Sequence, residues 1–361
     1  MRVGVVGAGT IAGQYSASLQ RLPQLQVTAV CDLVPERAAQ FAADHDGARV
    51  VTQPELLAAD DVDVVLVLTL PATHGDIARD ALAAGKHVYG EKPLATTVAE
   101  GREVVKAATA AGLRVGCAPD TVLGTGIQTA RAVIDAGRIG TPHSATAFMT
   151  TPGHERWHHF PEFYYQPGGG PLLDMGPYYL SALVHLLGPV TRVVGASARP
   201  SATRTVGQGP RAGTSFDVTV DTHVTGILEH ASGALTTLIM SFDTWAARLP
   251  CIEVHGTDGS LSVPDPNRFD GAVELFSAGS ERWVDVGAWA GYAGSGRGYG
   301  IADLAIALAG DRPHRAGADL ALHVLDVMES VQQAAETRTS VALTTTCERP
   351  AAVAGVVDLT S

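Results

Sequence analysis

The spacing of apolar residues divides this chain in two. Up to about residue 120, short unbroken runs rich in valine ("RVGVVG", "LQVTAVCD", "VDVVLVLT", "KHVYGE", "LRVGCA") alternate with alanine-rich stretches whose apolar positions recur at helical spacing. The runs predict strands buried on both faces, and the stretches predict helices over 11–21, 35–43, 74–84 and 98–111. Strict alternation of the two predicts a doubly wound parallel sheet.

Past a helix expected over 123–136, "RIGTP" marks a boundary and the pattern changes. A strand near 143–150 runs into an aromatic loop, "HERWHHFPEFYYQPGGG", and then into a helix carrying "PLLDMGPYYLSALVHLLG". Beyond it, "VTRVVGASA", "DVTVDTHVTGILEH", "ALTTLIMSF", "CIEVHG" and "GSLSV" have strand composition with turns such as "HASGA" and "HGTDGS" between them. Helical pattern returns over 301–309 and 320–335. The expected architecture is α/β, with residues 1–120 a parallel-sheet domain and residues 121–361 an α+β domain built on a large, open, mostly antiparallel sheet.

Composition agrees with two domains, since 361 residues at 46% hydrophobic exceed what one core usually holds. The formal charge of -12, with no run of lysine or arginine, argues against nucleic acid or an anionic membrane as partner. The first apolar run is too short for a signal-peptide core, and no later segment reaches spanning length. Cys31, Cys117, Cys251 and Cys347 are scattered with no CxxC pair, which suggests neither a disulfide framework nor zinc. The expectation is a reduced, cytoplasmic protein. Only three of the 25 basic residues are lysine, at 86, 92 and 106, so each lysine position draws notice.

Two motifs carry chemistry. "VVGAGTIA" sets Gly7-x-Gly9-x-x-Ala12, with Thr10 and Ile11 in the turn, directly after the first strand and at the start of a helix. The first glycine permits the turn, the second lets the backbone approach a pyrophosphate, and small Ala12 lets helix and sheet pack closely. Asp32 ends the second strand, where a carboxylate accepts from ribose hydroxyls and repels a 2'-phosphate. NAD is the expected cofactor, and Arg37 close by keeps NADP open. "AAGKHVYGEKPLATT" places Glu91-Lys92-Pro93 at the carboxyl end of a strand, the edge where open α/β sheets bind ligands, and a lysine there can bond a hydroxyl or carbonyl undergoing hydride transfer. A solvated lysine before a proline turn is the plainer alternative.

"GVVGAGTIA", "CDLVPERA", "ALAAGKHVYGEKPLA" and "GGGPLLDMG…HLLG", in this order and spacing, resemble the family of glucose-fructose oxidoreductase, inositol dehydrogenase and rhizopine-catabolism dehydrogenases, called Gfo/Idh/MocA, from residue 1 to about 345. The resemblance implies a Rossmann domain, an open α/β domain, NAD(P)-dependent oxidation or reduction of sugars and cyclitols, and a homodimer or homotetramer packed through the exposed face of the second sheet. It gives Lys92 the catalytic-lysine role and places Glu91 beside the nicotinamide. "LTLPATH" is similar to the family's TPxxxH segment and brings Thr69, Pro71 and His74 to the cofactor, although Leu70 intervenes before the proline; His74 equally suits a helix cap.

Many members carry histidine four residues after the aspartate; Tyr178 stands there here, as in members resembling glucose-fructose oxidoreductase and the dimeric dihydrodiol dehydrogenases. A phenol both donates and accepts, and a nearby cation such as Lys92 lowers its pKa from about 10. In this reading Tyr178 removes the hydroxyl proton, Lys92 holds the same oxygen, and Asp174 bonds a neighbouring hydroxyl. The alternative is Asp174 as the cap of a helix with Pro177 in its first turn, and Tyr178 as packing.

For the substrate, the resemblance points to "CAPDTVLG", hence Asp120 and Thr121, with Asp120 alternatively capping the next helix. "GHERWHHF" offers Trp157 and His158, beside His154 and His159, a grouping that suits a polyol: a ring to stack on and imidazoles to bond hydroxyls. No evident set completes a metal site. Asp243, Trp245, Arg248, Arg297 and Tyr299 either edge the pocket or are ordinary loop and sheet residues, the second being the plainer reading. The expected function is a sugar or cyclitol dehydrogenase. Its alternatives are a glycoside-cleaving enzyme that oxidises the sugar transiently on retained NAD, and a non-catalytic sensor, against which the intact EKP motif stands.

Overall fold

Each valine-rich run becomes a strand of one parallel sheet: β1 (Arg2–Val6), β2 (Gln26–Cys31), β3 (Arg49–Val50), β4 (Val64–Val67), β5 (His87–Gly90) and β6 (Val115–Cys117), in the order β3-β2-β1-β4-β5-β6. The order reverses direction at β1, which is the Rossmann arrangement with its ligand crevice at the carboxyl ends of the strands. The sheet is buried on both faces: Val3, Val5, Ala29, Val30, Val64, Val65 and Leu66 have no exposed surface. Each such valine or leucine side chain contributes roughly 1.5–3 kcal/mol when removed from water. The intervening helices are α1 (Ala12–Leu19), α2 (Pro35–Ala43), α3 (Gln53–Ala58), α4 (His74–Ala83) and α5 (Val98–Ala111). Helix α5 occupies the span its apolar spacing predicts. It begins at Thr97, whose hydroxyl accepts from the Glu100 amide at 3.2 Å.

The computed structural model describes all residues, Met1–Ser361, and their contacts fall into two units. Unit 1 comprises Met1–Gln128, Ala288–Leu325 and Pro350–Ser361; unit 2 comprises Thr129–Gly287 and Asp326–Arg349. A cut at 120/121 therefore differs from the observed division in two ways. Residues through Gln128 stay with the first sheet, and two later stretches return to it. Those stretches supply α8 (Tyr299–Ala309) and a parallel two-stranded ribbon of β17 (Gly291–Tyr292) and β19 (Val356–Val357).

Unit 2 holds a nine-stranded sheet. Its strands are β7 (Pro142–Thr150), β8 (Val190–Ala198), β11 (His223–His230), β12 (Leu235–Ser241), β13 (Ile252–Gly256), β14 (Gly259–Val263), β15 (Glu274–Ser277), β16 (Val284–Asp285) and β18 (Val341–Ala342), in the order β16-β15-β14-β13-β7-β12-β11-β8-β18. β7 and β12 run parallel and every other neighbouring pair is antiparallel. β9 (Thr203–Thr205) and β10 (Ser215–Asp217) form a separate small hairpin. The expected strand from Asp217 thus begins only at His223, because Asp217 pairs in the hairpin instead. Helix α7 (Pro171–Leu187) packs on β7, β11 and β12. The later turns of α9 (Ala318–Thr337) press on β8 and β11 where Gly195 and Gly226 are paired in register; a Cβ on Gly195 would lie 2.5 Å from the Val331 carbonyl oxygen. The division between units falls within α9, and α6 (Thr125–Asp135) begins in the first unit and ends in the second.

No helix is long and apolar enough to cross a membrane. All four cysteines are free, and burial pushes the Cys31 thiol up to about 11.

Candidate active site

In unit 1 the candidate residues gather at the carboxyl edge of the parallel sheet. Gly7 turns with φ 97°, and a Cβ there would lie 2.9 Å from the Leu68 carbonyl, so the chain passes where no side chain fits. A Cβ on Gly9 would instead meet nothing within 4 Å. The loop therefore closes on protein at its first glycine and faces open space at its second, the space that a pyrophosphate lying on the loop and on the amino end of α1 requires. Ala12 is buried at the start of α1, as close helix–sheet packing demands, while Thr10 is exposed and Ile11 half-buried beside it. Asp32 leans onto the same loop: its Oδ2 accepts from the Ala8 amide at 2.7 Å and its Oδ1 from the Val34 amide at 2.8 Å. Arg37 is exposed in the first turn of α2. The residues present thus fit a dinucleotide. Leu33 and Leu70, both exposed, stand just past the ends of β2 and β4, on either side of β1. Sequence reasoning noted Leu70 only as an irregularity and passed over Leu33; their exposure at this edge is the signal that was missing.

Glu91 is buried at the end of β5. Its Oε1 accepts from the Tyr15 phenol at 2.7 Å and its Oε2 from the Lys92 amide at 3.2 Å, which fixes the turn that presents half-buried Lys92. Burial raises the Tyr15 phenol well above its ordinary value, with the Glu91 charge adding to it, so the phenol stays a donor. The Lys92–Pro93 and Ala118–Pro119 peptides are cis.

His74 is buried and braces this turn. Its Nδ1 lies 2.7 Å from the Pro93 carbonyl oxygen and its Nε2 3.0 Å from that of Thr69. It sits at the first position of α4, with Thr73 at the cap position, so the capping alternative is set aside. Thr69, whose hydroxyl accepts from Thr73, is half-buried, and Pro71 is exposed at the same edge.

Asp120 and Thr121, expected at the substrate, point into unit 1. Asp120 is 0% exposed, and its Oδ2 accepts from the Gly298 and Gly300 amides at 2.8 and 3.0 Å, the amino end of α8. Arg297 Nη1 stands 3.9 Å from Oδ1. Burial raises the Asp120 pKa despite Arg297 and the two amides. Thr121 is equally buried, and its hydroxyl has no hydrogen-bond partner. The reason is local: the turn Asp120–Leu123 tucks inward, and all four of its residues are buried.

In unit 2, α7 begins at Pro171 with Gly170 as its cap, so Asp174 is no cap; it lies one turn in, with Tyr178 one further turn along the same face. Pro177 is inside the helix, where it forfeits the bond to the Leu173 carbonyl. Tyr178 is buried, and Tyr179 points elsewhere, to Cys251; burial raises the Tyr179 phenol, with Cys251 and Asp265 adding to it. Asp174 Oδ2 lies 3.0 Å from His154 Nε2. Trp157 is 52% exposed. His158 is half-buried, its Nδ1 accepts from the Phe160 amide at 3.0 Å, and burial lowers its pKa, so it is a neutral ring with Nε2–H. Asp243, read from sequence as an ordinary residue, bonds Arg204 inside this unit. No group of three or more His, Cys, Asp or Glu side chains is gathered for a metal ion.

Unit 1 thus offers a dinucleotide cradle and a lysine on one sheet edge, and unit 2 a carboxylate and a phenol on one helix face, with a loop imidazole against the carboxylate. Comparison with known proteins identifies the family. Residues 1–118 match the GFO/IDH/MocA model described as an oxidoreductase family with an NAD-binding Rossmann fold, and residues 127–262 match the GFO/IDH/MocA C-terminal domain. The chain is 32% identical over 267 residues to a 1,5-anhydro-D-fructose reductase of Ensifer adhaerens, covering 72% of this chain and 74% of that one. It is 31% identical over 270 residues to a trans-1,2-dihydrobenzene-1,2-diol dehydrogenase of Bos taurus, covering 74% and 75%. In fold it is similar to an NAD-binding oxidoreductase from Klebsiella pneumoniae, with a TM-score of 0.83, 24% identity, and coverage of 95% and 99%.

Proposed function

The chain belongs to the Gfo/Idh/MocA family of NAD-binding oxidoreductases, and from that premise we propose that it interconverts a secondary alcohol and a ketone on a sugar, sugar derivative or cyclitol. The observation that carries the reading is the Glu91–Lys92 turn, built on a buried carboxylate at the same sheet edge as the Gly7–Ala12 cradle. NAD bound there supplies the acceptor or donor of the hydride. Gly7, Gly9 and Ala12 shape the loop that receives the phosphates, with Thr10 and Ile11 in it, and Asp32 bonds the ribose hydroxyls.

Lys92 donates a hydrogen bond to the reacting oxygen and stabilises negative charge as the hydroxyl proton leaves. Tyr178 takes that proton in oxidation and returns it in reduction. Asp174 accepts from the hydroxyl on the next carbon. One relative is named for a reductase of an anhydro sugar and the other for a dehydrogenase of a 1,2-diol, so a substrate with a hydroxyl beside the reacting carbon agrees with both. Trp157, half out of the protein, offers a face for the apolar side of a sugar ring, and His158 offers Nε2–H to a hydroxyl oxygen.

Assembly through the outer face of the nine-stranded sheet belongs to the same reading. Val194, Ile227 and Leu235 are exposed there on neighbouring strands, and Val194 and Ile227 are paired in register.

The test is NADH formation against a panel of sugars, inositols and vicinal diols. Turnover with some member is expected, abolished in Lys92→Ala and strongly reduced in Tyr178→Phe. Full activity in Lys92→Ala overturns the mechanism. Glycoside cleavage with no accumulating NADH replaces net oxidation by a cycle that returns the hydride.

A further inference from the structure

We propose that His154 is a positioning residue for Asp174, fixed in its Nε2–H form by an aromatic enclosure and tied to the sheet through Arg204. The proposal rests on the reading of Asp174 as a substrate-bonding group.

His154 opens the short turn His154–Arg156 and is 8% exposed. Its Nε2 faces Asp174 Oδ2 at 3.0 Å, and a carboxylate oxygen that bonds this ring accepts from it, so Nε2 carries the hydrogen. Nδ1 is buried with no hydrogen-bond partner. Around the ring stand Phe242 at 4.4 Å, Tyr164 edge-on at 4.5 Å and Trp157 at 5.1 Å between centroids. Moving the hydrogen to Nδ1 would strand a donor among aromatic rings and break the bond to Asp174, which is costly on both counts. Nor does any polar group lead away from Nδ1, so the ring is not built to relay a proton onward. Its remaining use is to hold the carboxylate in one orientation.

The ring is held in turn. The His154 amide donates to the Tyr165 phenol oxygen at 3.0 Å, and that phenol donates to Glu155 Oε2. Arg204, on the β9–β10 hairpin, donates to Glu155 Oε1 at 2.9 Å and, through its other amino group, to Asp243, whose Oδ2 accepts from Thr222 at 2.6 Å. One guanidinium is thus set between two nearly buried carboxylates. Such a cluster is a weak source of stability, because desolvation cancels most of the attraction, but it fixes the geometry of whatever it ties down. Here it ties down the start of the aromatic loop. The charged and titratable groups around His154 are Asp174 from α7 and Glu155, His158, Tyr164 and Tyr165 from its own loop, with Arg204 and Asp243 behind Glu155.

An N–H donated to a carboxylate favours its charged form, so losing that donor raises the pH at which Asp174 takes up a proton. His154→Phe keeps the enclosure filled and removes the donor. It is expected to lower kcat/KM about tenfold and to move the acidic limb of its pH profile upward, with NADH affinity unchanged; His154→Gln, which can donate from the same side, recovers part of both. A wild-type acidic limb and wild-type kcat/KM in His154→Phe overturn the proposal.

A second arm needs no turnover. In nitrogen-15 spectra of the histidine rings, the signals lost in His154→Phe should report an Nε2–H tautomer and should shift in Asp174→Asn. An Nδ1–H tautomer, or indifference to Asp174→Asn, overturns the pairing. If the wild-type protein oxidises no substrate while these signals behave as expected, the dehydrogenase reading fails and the His154–Asp174 pairing stands.

Discussion

Asp120 separates two readings of one residue: the family resemblance points it to the substrate, with a helix cap as the alternative, and the structure buries it against the amino end of α8. Asp120→Ala removes a fully buried carboxylate and leaves the Gly298 and Gly300 amides without their acceptor. Each stranded amide costs ~1–3 kcal/mol, and release of a buried charge offsets part of that, so a net loss of about 2–4 kcal/mol is expected. Asp120→Asn behaves differently. Its carbonyl can still accept from both amides, and its NH2 takes the place of Oδ1, an atom with no hydrogen-bond partner of its own. A change within about 1 kcal/mol of wild type follows.

The pH dependence carries its own sign. Burial raises the folded pKa of Asp120 above the unfolded value of about 3.9, so between the two the native state binds more protons than the unfolded one, and stability falls as pH rises. The Asn variant lacks this loss, and its standing relative to wild type improves as pH rises through that window. Urea unfolding combined with hydrogen exchange at the first amides of α8 measures both effects, and substrate KM is the control. A large rise in KM in Asp120→Ala with unfolding and exchange unchanged would refute the reasoning and return Asp120 to the substrate.

Asp32→Ala removes the carboxylate proposed to accept from the ribose and should weaken NADH by roughly ten- to a hundredfold by fluorescence titration, while NADPH, which that carboxylate would repel, loses far less; equal losses for both would contradict the proposal. Asp303, fully buried, accepts from Tyr292 at 2.7 Å and Arg312 at 2.8 Å as well as from Arg315. Burial pulls its pKa up, but Arg315, Arg312 and Tyr292 together hold it below the ordinary value. Its contribution is therefore complete above the unfolded pKa and lost as pH falls through the folded one. Asp303→Asn should cost about 3–5 kcal/mol at neutral pH, and the gap should close in acid; a gap independent of pH would show that the charge is not what matters.

What was legible followed from local physics. A parallel sheet covered on both faces needs unbroken apolar strands, so β1, β2, β4, β5 and β6 could be read directly, as could α5 from its apolar spacing. Short pieces escaped. Helix α3 has six residues and one buried side chain, and its signature, the reciprocal bonds of Thr52 and Glu55, was overlooked. The β9–β10 hairpin has three residues on each side and mostly exposed positions, so no alternation announced it. The glycine cradle and the Lys92 turn could be placed because each is one contiguous motif. The inward turn of Asp120 depends on amides some 180 residues later, and the pairing of His154 with Asp174 depends on how a loop closes. No residue spacing encodes either.

Unit 1 also has an order of manufacture. Its sheet is synthesised ahead of the residues that complete it: the amides that receive Asp120 come from residues 298 and 300, the Val353 amide reaches back to Gln128 at 2.8 Å, and Gln24 donates to the Leu359 carbonyl at 2.9 Å. Roughly 220 residues separate the end of the first stretch from the start of the last. At a synthesis rate of about 5–20 residues per second, the last of those partners follow the first stretch by on the order of 10–45 s. The first stretch of unit 1 is thus made well before the stretches that complete its hydrogen bonds.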